Sequence, residues 1–326
     1  MNRYLRKAIL HILFAAGLIL MFTGGPGQSV TRSFRDLWNL GHVVLFFLFV
    51  FILRSDWEGF SVRGPAMQWL LALSAAAVLG LATEVLQSFT GRQFDYVDIL
   101  RDLAGCSVGM LCMNNLDSRR RTGTDRLRYA AVFIILLIVL LPLLFSLADE
   151  FIANGQFPVL AGFETPLEIN RWRADGQISI SNDICREGES SLRAEFTTRR
   201  YSRVTMRYSL GEWKGYDYLD FSVFNPAPED LKLICRIHDE EHHEHGNAYA
   251  DRFHRQLNLE QGWNSFRIPL NDIRDAPSDR EMDLSSIEQL SFFSVSLADR
   301  RFVYIDNVRL IRDEGVSERG VTEKDD

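Results

Sequence analysis

A surplus of basic charge is missing from this sequence: 36 Lys and Arg stand against 43 Asp and Glu, for a net charge of −7. Phosphate backbones are held by basic surfaces, so this balance argues against a nucleic-acid partner. Cysteine is scarce as well. Cys106, Cys112, Cys185 and Cys235 fit no zinc-ligand spacing. Cys185 and Cys235 share the second half and would pair only in an oxidising compartment, while Cys235, inside a strand-like run, serves equally well as core. Long apolar runs are absent from Asp149 onward, so nothing in that half reads as a membrane span. Paired catalytic carboxylates are not legible either. Asp239 and Glu240 are adjacent instead of facing each other across a cleft, and the sequence supports no glycosidase dyad.

The first 148 residues, by contrast, are dominated by apolar runs with few charges. A bilayer core about 30 Å thick takes roughly twenty apolar residues in a helix. Five segments fit: Ala8–Thr23, Leu37–Leu53, Ala66–Phe89, Val97–Leu116 and Tyr129–Ala148, the last with a kinking Pro142. The first also has the basic start and apolar middle of a signal peptide. His11 and the lack of a small-residue cleavage site favour an uncleaved span. Arg3, Arg6, Lys7, Arg54, Arg63, Arg119, Arg120, Arg121, Arg126 and Arg128 fall on one side of this arrangement, against Arg32, Arg35 and Arg92 on the other. Basic loops stay in the cytoplasm. The expectation is therefore a multi-pass protein of the cell membrane in contact with lipid, its N-terminus cytoplasmic and its second half outside.

One stretch inside the membrane half is polar: TEVLQSFTGRQFDYVDILRDLAGCSVG. Glu84 and Gln87 lie three apart and share a helix face, as Asp98 and Asp102 do at a spacing of four, with Arg92 and Asp95 between them. His42 opens an earlier span on the same side. Ionisable groups at this depth are costly unless paired, and they point to function. A purely structural reading, in which Arg92 neutralises Asp95 or Asp98, stands beside it. Gly105 and Gly109 form a GxxxG suited to close helix approach.

This pattern resembles the VanZ family over roughly residues 1–116, with His42, Glu84, Gln87, Arg92, Asp98, Asp102, Gly105 and Gly109 at the matching positions. Asp102 stands where that family usually has Asn, and Trp38 and Asn39 where it has an Asp-Lys pair. The resemblance implies a link to glycopeptide (teicoplanin) resistance or envelope polysaccharide handling and names no reaction.

After Phe163 the apolar residues switch to period two, as in Leu219-Phe221-Val223 and Leu231-Leu233-Cys235-Ile237. Eight or nine such runs, broken by Gly, Pro and Asn, predict an all-β sandwich of jelly-roll type. The predicted architecture is thus an α-helical transmembrane bundle of about five spans followed by an all-β jelly roll. Its parts are a membrane domain (1–116), a basic cytoplasmic loop (117–128), a fifth helix (129–148), a linker (149–162), the jelly roll (163–313) and a charged, disordered tail (314–326).

The phrases FETPLEINRW, GESSLRAEF, EWKGYDYLDFSVFNP, LKLICRIHD and YIDNVRL, in this order, resemble the galactose-binding-like jelly rolls found among carbohydrate-binding modules. That resemblance implies a polysaccharide or glycan ligand on a concave face beside the run HDEEHHEHGNAYADRFH. His238, Asp239, Tyr249 and Arg252 are its candidate ligand residues, Tyr249 by stacking and Arg252 by hydrogen bonding. It also implies a structural calcium on Glu164 and Asp306, since oxygen ligands suit this ion. The histidines of the run are possible transition-metal ligands, but they lack a standard spacing and read more simply as a solvated loop. Trp172, Trp213 and Trp263 read as core. Three functional classes remain open: a glycan-binding envelope protein without assigned activity, a membrane enzyme acting on a lipid-linked or glycopeptide substrate through the polar patch, and a structural partner-binding module.

Overall fold

The apolar runs of the first half form helices α1 (Arg3–Thr23), α2 (Arg32–Asp56), α3 (Glu58–Ser61), α4 (Pro65–Ser88), α5 (Tyr96–Leu116) and α6 (Gly123–Gln156). The computed structural model describes residues 3–23, 31–89, 94–116, 123–208 and 211–313. It divides into two units, Met1–Leu147 and Ala148–Asp326. Among the described residues, four helical stretches are long and apolar enough to cross a membrane: Tyr4–Phe22, Arg32–Asp56, Pro65–Ser88 and Asp125–Gln156. The remaining long helix, α5, has 21 residues, about 31 Å at 1.5 Å per residue, but Asp98, Arg101 and Asp102 dilute its first two turns. Length permits α5 to cross; composition does not single it out.

Within this unit α2 packs between α1 and α5, and α4 lies against α5. Leu45, Phe46 and Val50 of α2 meet Ala72 and Ala76 of α4 and Cys106, Met110 and Met113 of α5 in one apolar core. The GxxxG sits at the tightest contact. A Cβ on Gly105 would collide with the Val43 carbonyl, and one on Gly109 would come within 3.0 Å of the Val50 side chain. Close backbone approach of this kind needs glycine. Helix α6 runs 34 residues through Pro142, so residues 149–162 hold its last turns and the first strand, not a plain linker. The apolar and leucine-rich sequence on both sides of the proline favours continuing the helix over breaking it.

The second unit is a sandwich of two antiparallel sheets. The first has the order β3 (Ile178–Ser181), β4 (Ser191–Phe196), β11 (Arg301–Ile311), β6 (Tyr218–Asn225), β9 (Gly262–Pro269), with β1 (Val159–Ala161) also pairing β11. The second has the order β2 (Trp172–Ala174), β5 (Tyr201–Met206), β10 (Ile287–Val295), β7 (Leu231–Asp239), β8 (Phe253–Leu259). Alternation puts Leu231, Leu233, Cys235 and Ile237 of β7 inside and aims Ile234 and Arg236 outward. Trp172 stacks on Phe292 at 6.5 Å between ring centres, and Phe221 meets Phe292 at 5.0 Å. Trp172 and Trp213 are core, as their flanking strand residues predict; Trp263 is half-buried, edge-on to Phe224. Cys185 and Cys235 are free thiols, the latter buried in β7. Each fully buried Leu or Phe of this core contributes about 1.5–3 kcal/mol of hydrophobic stabilisation.

Candidate functional sites: an arginine groove and a buried acid cluster

The outer face of the second sheet carries a cavity of about 500 Å³. Its floor comes from alternate residues of neighbouring strands: Tyr201 and Arg203 on β5, Phe293 and Val295 on β10, Ile234 and Arg236 on β7, His254 on β8. The register brings Phe293 opposite both Arg203 and Ile234, and Arg236 opposite His254. Tyr249 and Arg252 close one side from the loop before β8, with the Arg252 guanidinium 5.0 Å from the Tyr249 ring centre. The Tyr249 hydroxyl lies 2.5 Å from His254 Nε2.

Among the described residues the lining holds three arginines and no carboxylate, although Arg203 Nε pairs with Asp175 Oδ2 outside it at 3.4 Å and Arg236 Nη2 lies 3.2 Å from His242 Nε2. Burial, and after it the nearby Arg252 and Arg203 charges, pull the Arg236 guanidinium down to about 10. Burial also lowers Arg252. Buried Nε atoms of both Arg236 and Arg252 have no hydrogen-bond partner. Planar donors left unspent beside exposed aromatic rings can hold a sugar ring on its apolar face and grip its acidic or hydroxyl substituents.

The loop over this face is not freely solvated. Asp239 and Asp251, near its two ends, share one guanidinium: Arg280 Nη2 reaches Asp239 Oδ1 at 2.7 Å, and Arg280 Nε reaches Asp251 Oδ1 at 2.6 Å. Arg280 first, then His242, holds Asp251 down at about 2. The buried His242 ring contacts Asp251 Oδ2 at 2.9 Å and stacks on His238 at 4.5 Å. Of the four residues singled out from sequence, Tyr249 and Arg252 line the cavity. His238 and Asp239 lie beneath the loop, His238 at 3.3 Å from Glu288 Oε2 and lowered chiefly by burial. A register shift in β10 between Ile287 and Gln289 puts Glu288 there, and His243 Nε2 joins it at 2.8 Å. Tyr201, Arg203, Arg236, Phe293 and Arg280 carry no sequence signal beyond ordinary strand and loop composition.

Glu164 and Asp306 both turn toward the backbone of residues 186–190. Glu164 Oε1 accepts from Glu189 N at 3.0 Å, and Asp306 Oδ2 accepts from Arg186 N at 2.6 Å. A Cβ on Gly188, whose φ is +69°, would strike the Glu164 carboxylate. Burial raises Asp306 above the usual carboxylate range, and the Glu164 charge adds to this. Each oxygen of both carboxylates already accepts a backbone N–H, from Arg186, Glu187 and Asn307 on Asp306 and from Glu189 and Ser190 on Glu164, so the donors that face the pair are N–H groups and not the oxygens a Ca²⁺ ion takes.

In the helical unit, His42, Glu84, Asp98 and Asp102 converge and are all buried. His42 Nδ1 lies 2.9 Å from Asp102 Oδ1, and His42 Nε2 lies 3.5 Å from Asp98 Oδ2. Gly80 of α4 leaves the room: a Cβ there would sit 2.5 Å from Asp102 Oδ2. Asp98 pairs with Arg101 one turn on. Gln87 instead donates to the Met21 carbonyl at 3.1 Å. Asp95 precedes α5, its Oδ1 accepting from Val97 N at 2.9 Å and its own N–H donating to Glu84 Oε2 at 2.8 Å. Arg92 lies outside the described residues.

Residues 161–312 match the family model Carbohydrate binding domain 30. Among solved structures, the chain is similar to a family 11 carbohydrate-binding module from Clostridium thermocellum in complex with a β-1,3-1,4-mixed-linked tetrasaccharide: 15% identity, 47% of this chain and 94% of that one, TM-score 0.35. A family 30 module of a cellulosomal cellulase from the same organism aligns at 17% identity over 44% of this chain and 87% of its own, TM-score 0.32. An agarase aligns at 14% identity over 47% of this chain and 26% of its own, TM-score 0.36. No curated protein matches the chain. The second half is thus a two-sheet sandwich that matches a carbohydrate-binding domain model.

Proposed function

We propose that this chain is a multi-pass protein of the cell membrane that presents a glycan-binding sandwich outside the cytoplasm, with a preference for polysaccharides bearing acidic groups. One observation carries the reading: within a domain matched to a carbohydrate-binding model, three arginines and the rings of Tyr201, Tyr249 and Phe293 line one groove free of carboxylates. A protein of net charge −7 concentrates positive charge there, where it would steer and hold an anionic chain. Guanidinium groups bind carboxylates through two parallel hydrogen bonds, and tyrosines supply the stacking surface.

Titration of the full-length protein in detergent with polysaccharides tests the site. Saturable binding that weakens about tenfold in Tyr249→Ala is expected from loss of one stacking contact. Binding that survives this change and Arg236→Ala unaltered would move the ligand elsewhere.

The outward orientation rests on the loop charges and requires α5 to cross, making five passages. A cysteine placed at the exposed Ser278 should react with an impermeant reagent in intact cells; reaction only after lysis reverses the topology. The VanZ-like reading of residues 1–116 belongs to this proposal and is supported by the convergence of His42, Glu84, Asp98 and Asp102. A structural calcium on Glu164 and Asp306 is not part of it, because backbone N–H groups already occupy their oxygens. Chelation should leave the melting temperature of the sandwich unchanged, and a lowered one argues for the ion.

A further inference from the structure

We propose that His42, Glu84 and Asp98 form a binding site for one divalent transition-metal ion, Zn²⁺ foremost, with Asp102 as the partner that orients the imidazole. One ligand atom from each of the three residues lies within 4.8 Å of the other two. Tetrahedral coordination at about 2.1 Å places ligand atoms about 3.4 Å apart, close to the 3.5 Å between His42 Nε2 and Asp98 Oδ2.

Each ligand is fixed through one polar atom and offers another. His42 Nδ1 is taken by Asp102 Oδ1 at 2.9 Å, which leaves the Nε2 lone pair available, as in carboxylate–histidine–metal relays. Glu84 Oε2 is taken by the Asp95 N–H at 2.8 Å, while its Oε1 is buried without a hydrogen-bond partner. Asp98 Oδ1 is taken by Arg101, and its Oδ2 faces His42. Glu84 is 1% exposed, so its free oxygen is aimed into protein and not into solvent.

Charge points the same way. Among the described residues, the carboxylates of Glu84, Asp98 and Asp102 face a single guanidinium, Arg101, at this cluster. A dication bound among these carboxylates would offset their charge in the apolar bundle. One imidazole nitrogen and two carboxylate oxygens suit Zn²⁺ or Mn²⁺, and the order of intrinsic affinities favours Zn²⁺. Three protein ligands leave a fourth position open, the pattern of zinc sites that bind water or substrate. This goes beyond glycan binding and gives the membrane unit a chemistry of its own.

The test is metal titration of the full-length protein in detergent after chelation, read by calorimetry and by metal content after desalting. The sandwich holds a second group, His238, His243 and Glu288, so His243→Ala is the control that removes it. In that background one equivalent of Zn²⁺ should remain bound. His42→Ala and Glu84→Gln should each weaken it at least 100-fold, and Asp102→Asn about 10–100-fold, the usual cost of losing an orienting partner. Helical content and monodispersity identify variants that fail to fold, and Asp98→Asn then replaces them. No saturable Zn²⁺ binding in the His243→Ala background overturns the proposal. So does binding that His42→Ala, Glu84→Gln and Asp98→Asn all leave intact.

Discussion

The two units carry opposite electrostatic deficits. The helical unit buries three acids around one histidine, with Glu84 Oε1 and Asp102 Oδ2 lacking partners. The sandwich gathers three arginines around aromatic rings, with Arg236 Nε and Arg252 Nε lacking partners. Buried polar atoms are nearly always satisfied, so both sets are consistent with the ligands proposed for these two sites. The difference lies in access. A cavity of about 500 Å³ lined by long cations suits an extended anionic ligand, whereas acids enclosed between helices suit a small cation.

Arg280→Ala would leave Asp239 and Asp251 buried without their shared counter-charge, and should destabilise the domain by about 3–5 kcal/mol in chemical denaturation. A loss below about 1 kcal/mol would mean that the loop carrying Tyr249 and Arg252 is held by other contacts. In the helical unit, Gly105→Ala forces a Cβ against the Val43 carbonyl. Overpacking of this kind should cost about 1–3 kcal/mol and loosen the α2–α5 contact that sets His42 against Asp102, lowering the detergent melting temperature. An unchanged melting temperature would show that the helices move apart without penalty.

Acid pH gives a smaller effect of known sign. Asp251 is held at about 2 in the folded domain, below its ordinary value, so its contribution is present above about pH 4 and is lost as pH falls toward 2. The loss should be about 2 kcal/mol, absent in Asp251→Asn, and visible in the pH dependence of unfolding. His238, lowered by burial, adds a loss of the same sign as pH falls through about 6.5.

Both halves of the fold were legible because apolar runs and period-two alternation are local patterns. Element ends were not: α6 runs past its expected limit at Ala148 to Gln156, carried by Glu150, Phe151, Ile152 and Ala153 up to the Asn154-Gly155 pair, whose low propensity marks the end. In the membrane cluster, spacings of three and four put Glu84 beside Gln87 and Asp98 beside Asp102, but only tertiary packing shows that Gln87 caps α1 while Asp102 meets His42. In the groove, Tyr249 and Arg252 stood out in a conspicuous loop. Arg203, Arg236 and Phe293 did not, because outward strand positions tolerate almost any residue and become a site only through cross-strand register. His238 and Asp239 carry the loop's support instead of the groove's lining, a distinction set for Asp239 by Arg280 and for His238 by Glu288, both some forty to fifty residues away in sequence.

The most direct test of the account is the affinity of the full-length protein for a uronic-acid polysaccharide against a neutral β-glucan of matched length, at low and high salt. The arginine groove calls for at least tenfold tighter binding of the acidic chain at low salt, an advantage that shrinks as salt screens it and disappears in Arg236→Ala/Arg252→Ala. Equal or tighter binding of the neutral chain, unchanged by salt and by those substitutions, would contradict it.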